Sequence, residues 1–215
     1  MIRNLPTGLI GILVGIYWLR VVHLARKIRR RTGHTANVVP PGKVGLVTRF
    51  VWFPVVGLWI AIPISTAVLA HPPWVVRPLI ASVALSWSAV AVAFLAFALT
   101  LMCWKKMGSS WRMGIDPAEK NPLIVTGPFA YVRHPIYALS SVLMLATAAV
   151  APSPLMLAVA VIHLVLLQLE ARREERYLSS AHGLVYVDYC KTTGRFVPRL
   201  NRVWPRRELN SSGGG

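Results

Sequence analysis

Acidic residues are scarce in this chain: 7 Asp and Glu stand against 24 Lys and Arg, giving a formal net charge of +17. Charged residues of both signs make up 14% of the 215 positions, whereas a soluble domain carries roughly 25%. The shortfall excludes an ordinary soluble surface, because it is concentrated in long apolar runs of the kind that dissolve in a bilayer. Cysteine is almost missing as well. Cys103 and Cys190 have no spacing that suits a metal site or a disulfide framework, so no metal is expected. No G-x-G-x-x-G turn follows a strand, which removes the usual warrant for a Rossmann-type nucleotide site. Nucleic-acid binding is one use for so much positive charge, but membrane topology accounts for it better. The chain has no internal repeat and no second, soluble domain.

What the sequence does contain is five hydrophobic segments, at about 5–25, 46–70, 75–103, 136–150 and 154–170. The first approaches the roughly 20 residues that span a bilayer. It lacks a small-residue cleavage site and runs straight into "RKIRRR", so it reads as a retained span and not a secretory signal. Pro54 and Pro63 lie inside the second segment and predict a kink that neighbouring helices tolerate. The fourth and fifth are short and joined by "APSP" at 151–154, which predicts an antiparallel helical hairpin. The expected fold is therefore all-α, a polytopic membrane protein of about five transmembrane helices.

Loop charge orients it. Residues 26–49 hold seven Lys and Arg, 104–133 hold five, and the chain from 171 onward holds nine. The other side has Arg3 and Arg77, with Arg20 inside the first span. Five spans put all three basic regions on one face, with the N-terminus outside and the C-terminus and catalytic face cytoplasmic. These cations also suit contact with anionic membrane lipid.

The few acids are informative by position. Asp116 and Glu119 precede the motif "GPFAYVRHPIY" (Gly127 to Tyr137), and Glu208 lies in the tail. Glu170, Glu174 and Glu175 cluster in "LEARREERYL". The first two are i,i+4 neighbours, while Glu175 turns about 100° away. A salt-bridged helix end is the plain explanation for that cluster. In the motif, Pro135 suits the first position of a helix and holds His134 extended as its N-cap. The fourth span thus opens with unpaired N–H groups that favour an anion, with Arg133 and His134 at the mouth. Tyr186 and Tyr189 read equally as interfacial anchors, and Arg195 as a contact to lipid phosphate.

"LIVTGPFAYVRHPIY", followed by "EERYL" and "HGLVYVDYCKTTGRFVP", resembles the isoprenylcysteine carboxyl methyltransferase family and its bacterial relatives, over roughly residues 108–200. The resemblance implies an integral membrane enzyme that uses S-adenosyl-L-methionine, bound by the last two helices and the C-terminal segment. It implies that Tyr131, His134, Pro135 and Tyr137 line the cofactor pocket, with Arg133, Glu174, Tyr186 and Tyr189 beside them. Glu175 would hold polar groups of the cofactor, and Arg195 would sit by the cofactor or the reacting group, the two forming the catalytic pair. Residues 1–103 then form an N-terminal unit of three spans, 104–200 the cofactor-binding and catalytic region, and 201–215 a flexible tail.

The chemistry is compatible. In-line methyl transfer depends chiefly on alignment. A carboxylate acceptor is already ionised near neutral pH and needs orientation, which Arg195 could give bidentately. An amine or thiol would need a proton acceptor, for which Glu174, Glu175 and His134 are candidates. The acceptor is expected to be a lipophilic or lipid-anchored small molecule, most simply a carboxylate, with amine, phenol and thiol open. Three other readings share the scaffold: a sterol-type reductase using NADPH, a phospholipid N-methyltransferase, and a non-enzymatic membrane component.

Overall fold

The computed structural model describes residues 5–33, 43–111 and 123–199. Asp116, Glu119, Glu208, the remainder of "WRMGIDPAEKNPL" after Trp111 and before Leu123, and the tail 201–215 lie outside them. Among the described residues the chain is all-helical: α1 (Leu5–Thr32), α2 (Lys43–Val68), α3 (Val83–Met107), α4 (Pro135–Val150), α5 (Pro154–His182) and α6 (Leu184–Thr192). Leu5–Arg31, Phe50–Val68, Val83–Met107 and Pro154–His182 are long and apolar enough to cross a membrane. The fifth apolar helix, α4, has 16 residues, about 24 Å of rise against a hydrocarbon core of about 30 Å. The chain is an all-α, multi-pass membrane protein.

Two boundaries differ from the hydrophobic runs. The third run was expected to begin near 75, yet α3 starts at Val83 behind the N-cap Ser82, whose hydroxyl accepts from the Leu85 N–H at 3.3 Å. Pro72, Pro73 and Pro78 explain the delay, since each removes a helical donor and disfavours helix before it. The fifth run was expected to end near 170, but α5 continues to His182 and carries the acidic cluster with it. Charged residues do not stop a helix; they only end its apolar stretch.

The helices alternate in direction. Gly8 and Gly11 of α1 lie against Ala67 and Ile64 near the end of α2, so those two helices are antiparallel. A Cβ on Gly11 would meet Ile64 Cγ1 at 2.7 Å, which is why this approach needs glycine. The "APSP" turn forms the expected hairpin: α4 ends at Val150 and Ser153 caps α5, accepting from the Met156 N–H at 3.3 Å. At that end Leu79 N–H donates to the Pro152 carbonyl at 2.7 Å, and Leu155 N–H to the Val75 carbonyl at 3.0 Å. The α2–α3 loop and the α4–α5 turn are thus clasped by main chain. At the opposite end lie the basic end of α1, Lys105 and Lys106 of α3, and the start of α4.

Outward faces are apolar, with Ile12, Phe53, Leu95 and Val161 exposed for contact with hydrocarbon. Inside, an aromatic cluster joins the first spans to the hairpin. Tyr17 and Trp18 of α1 meet Trp59 of α2 at 6.3 and 6.2 Å, and Trp52 and Trp59 stand edge-on to His163 of α5. Trp59 donates its indole N–H to Thr147 of α4 at 3.0 Å.

Candidate functional site

The basic end of the bundle gathers residues from three distant segments. Gly127, at φ +65°, opens a short 3-10 turn (Gly127–Ala130) that brings the chain to the head of α4. Pro135 takes the first helical position, as expected, and His134 is the N-cap at φ −120° and ψ 65°. No side chain caps this helix. Its mouth is instead met by the C-terminal strap. Val132 and Gly194 form an isolated parallel bridge, with Arg133 N–H donating to the Gly194 carbonyl at 2.8 Å and His134 N–H to the Arg195 carbonyl at 3.0 Å. The strap reaches this place through α6, whose Tyr189 hydroxyl donates to the Phe129 carbonyl.

Glu175 is the hub. Its Oε1 accepts from Arg133 Nε at 3.0 Å, and Arg195 Nε reaches both carboxylate oxygens at 3.0 Å, with Arg195 Nη2 also donating to Oε2. Arg133 spends its remaining donors on Glu175 and on the carbonyls of Cys190 and Thr193. It therefore works as a strut tying α5 to the strap, and is not free at the helix mouth. His134 lies between the two acids, with Nδ1 3.4 Å from Glu174 and Nε2 3.4 Å from Glu175. Its ring stacks on Tyr137 with a centroid separation of 5.4 Å and meets the edge of Phe196. Tyr137 also interacts with Glu174. Glu170 behaves differently, pairing with Arg173 at i,i+3 and 2.9 Å in the manner of a salt-bridged helix surface.

Of the expected site residues, Arg133, His134, Pro135, Tyr137, Glu174, Glu175 and Arg195 share this neighbourhood. Tyr186 is buried and packs 6.1 Å from Tyr189, close enough to sense the charges of Glu175 and Arg133. Tyr131 is 57% exposed and turns most of its ring outward. Phe129, Thr193, Gly194 and Phe196 were not singled out from the sequence, because backbone carbonyls and a close approach leave little trace in residue type. His163 also went unmarked, although an ionisable residue in an apolar span is itself a signal.

Three polar features remain open here. His134 Nε2 is within ion-pair range of Glu175 but lacks hydrogen-bond geometry, and the buried Tyr186 hydroxyl has no well-formed hydrogen bond among the described residues. Arg195, with a side chain 35% exposed, engages through Nε and Nη2 and leaves Nη1 without a protein partner among the described residues.

Burial alone would lower the His134 imidazole, but the adjacent carboxylates of Glu174 and Glu175 outweigh it, and its value is raised. A raised folded-state value adds stability that is fully present below the ordinary value of about 6.5 and is lost as pH rises through the folded value. Melting temperatures of wild type and His134→Gln should therefore differ most below about pH 6.5 and converge as pH rises beyond it. A gap that widened with rising pH would contradict this assignment.

Comparison with known proteins gives a consistent picture. Residues 88–180 match the model of the isoprenylcysteine carboxyl methyltransferase family, a stretch that includes His134, Glu174 and Glu175 and stops before α6 and Arg195. The chain is 32% identical over 145 residues to a methanethiol S-methyltransferase of Pseudomonas sp. (strain GM41(2012)), covering 66% of this chain and 54% of that protein. It is 26% identical over 113 residues to the nickel-cobalt-cadmium resistance protein NccN of Alcaligenes xylosoxydans xylosoxydans, covering 52% of this chain and 53% of that one. The chain thus spans about half the length of the curated relatives it matches. The similarity to the isoprenylcysteine carboxyl methyltransferase family is carried by residues 88–180.

Proposed function

We propose that this chain is an integral membrane methyltransferase that uses S-adenosyl-L-methionine and acts on a lipophilic or lipid-anchored acceptor. One observation carries the reading. Arg133 and His134 from the head of α4, Glu174 and Glu175 from α5, and Arg195 from the strap converge although Arg133 lies 42 residues before Glu175 and Arg195 lies 20 after it. A salt-bridged helix end would not recruit the strap.

The open groups fit the cofactor's chemistry. Its carboxylate suits Arg195 Nη1 and the uncapped N-terminus of α4. Its ammonium and ribose hydroxyls suit Glu174, and its adenine and sulfonium suit the aromatic faces of Tyr137 and Phe196. The Tyr186 hydroxyl and His134 Nε2 would gain the partners they lack. When bound, the cofactor supplies an electrophilic methyl group on a cationic sulfur. The chain's own part is to fix that group in line with the acceptor, to exclude water, and to keep its cations paired. Glu175 pairs with both Arg133 and Arg195 and so ties the strap to α4 and α5.

Carboxyl O-methylation is the acceptor chemistry implied by the family resemblance, and it asks Arg195 Nη1, the nitrogen outside the Glu175 pair, to serve the acceptor's carboxylate in place of the cofactor's. A second reading, methylation of a thiol, is favoured by the uncharged interior around His163 and by the Pseudomonas relative's name. In either case the basic end faces the cytoplasm, with the N-terminus outside, following the distribution of Lys and Arg.

Isothermal titration of the full chain in detergent is the test. Saturable binding of S-adenosylmethionine and of its demethylated product is expected, and each should raise the melting temperature. Protection by NADPH but not by either of those compounds would overturn the reading in favour of a reductase. Lipid extracts incubated with methyl-labelled cofactor and examined by mass spectrometry then name the acceptor.

A further inference from the structure

We propose that His163 and Ser140, walled by Trp18, Trp52 and Trp59, form the inner end of the acceptor site. They select an apolar molecule whose polar group is an uncharged hydroxyl or thiol. This rests on the methyltransferase reading only in naming the bound molecule as the acceptor.

His163 lies within α5, fully buried, with Nε2 3.1 Å from the Ser140 hydroxyl of α4. Its Nδ1 has no hydrogen-bond partner among the described residues. The Trp52 and Trp59 rings stand edge-on to the imidazole at 5.2 and 4.7 Å. Trp18 packs against both of those rings at 6.1 and 6.2 Å, and its indole N–H is likewise buried and unpaired. A histidine kept only for packing would be expected to have both ring nitrogens satisfied, since an unpaired buried polar atom costs about 1–3 kcal/mol. The same cluster satisfies Trp59 through Thr147. It leaves unpaired two atoms of complementary kind. The indole N–H donates, and the imidazole nitrogen accepts when Nε2 carries the proton toward Ser140.

A group that donates a hydrogen bond satisfies the imidazole nitrogen, and one that also accepts can serve an indole N–H. Alcohols, phenols and thiols do this; an ionised carboxylate cannot donate, and the residues forming this cluster offer it no cation, so its desolvation would go uncompensated. Location fits as well. Ser140 sits one turn along α4 from Tyr137, and Tyr17 interacts with Ser140. Polar groups therefore run from the His134–Glu174 pair at the membrane surface down to His163. The wall of this inner site comes from α1 and α2, which lie outside the segment matching the family model.

The test is tryptophan fluorescence of the full chain in nanodiscs, titrated with decanethiol, decanol or decanoate, alongside calorimetric binding of S-adenosylmethionine. Decanethiol and decanol should quench saturably, and decanoate at least about tenfold more weakly. His163→Phe should weaken decanethiol by about tenfold or more, because the hydrogen-bonding nitrogen is lost. Its cofactor affinity and melting temperature should stay near wild type. Trp18→Phe keeps an aromatic ring but loses the N–H together with the five-membered half of the indole, and should weaken decanethiol about fivefold or more; it decides the matter if His163→Phe does not fold. Equal affinity for decanoate, or unchanged decanethiol binding in Trp18→Phe, would overturn the proposal. Saturable decanethiol binding in a wild-type chain that ignores the cofactor would uphold this site while removing the methyltransferase reading.

Discussion

Replacing Glu175 with Gln should unfasten the C-terminal strap and abolish measurable cofactor binding while leaving the helices intact. Glu175 is the shared acceptor for Arg133 and Arg195, and it lies 3.4 Å from His134. Its side chain is 14% exposed and that of Arg133 10%, so neither charge is well served by water. Removing one partner from such a cluster leaves the others buried and uncompensated, at a cost of about 3 kcal/mol. That is the low end of the usual range, chosen because Arg195 is 35% exposed and can turn to solvent. Glutamine keeps the shape, so the loss isolates charge from packing. Limited proteolysis after α6, read together with calorimetry, is the measurement. A Glu175→Gln protein with an intact strap and wild-type affinity would show that the charges only decorate a helix end.

Gly194→Ala should produce the same loss of binding by a different route. A Cβ on Gly194 would fall inside the van der Waals radius of the Val197 carbonyl oxygen and lie 3.0 Å from its carbon. Those are backbone atoms of the next turn, so no side-chain rotation relieves the clash. The strap must shift, and with it the Gly194 and Arg195 carbonyls that accept from Arg133 and His134. Overpacking of this kind costs about 1–3 kcal/mol. A fall of about a hundredfold in cofactor affinity, equivalent to about 2.7 kcal/mol, is expected. Because no charge is altered, an affinity within about twofold of wild type would show that backbone pairing at the α4 mouth is dispensable.

Much of the fold was legible because apolar runs and loop charge are properties of single segments. The hairpin at "APSP", Pro135 at the first position of α4 and the His134 cap follow from local rules about proline. The delayed start of α3 is also local, and Pro78 inside the apolar stretch carried that information. The convergence of Glu174, Glu175 and Arg195 on His134 is not local. It depends on α5 outlasting its apolar stretch and on α6 turning the chain back, with Gly183 at φ 55° between them. Family resemblance supplied that convergence as an expectation; periodicity had no means to. Arg133 shows the remaining gap, since its residue type announces charge while its neighbours make it a strut. His163 and Trp18 are hidden for a related reason: a residue's type says what it can bond to, and only packing says whether that bond is made.

At the end remote from the acidic cluster, two main-chain hydrogen bonds join residues 75–79 to 152–155. The bundle is stitched by backbone on one rim and laced by ions on the other. Salt screens an ionic lace only where it opens to water, as at Arg195, whose side chain is 35% exposed, and backbone stitches do not respond to it. A greasy guest arriving sideways from the bilayer would part the helices as one opens a book, spine fixed and fore-edge free, and the fore-edge is where the acids and arginines lie.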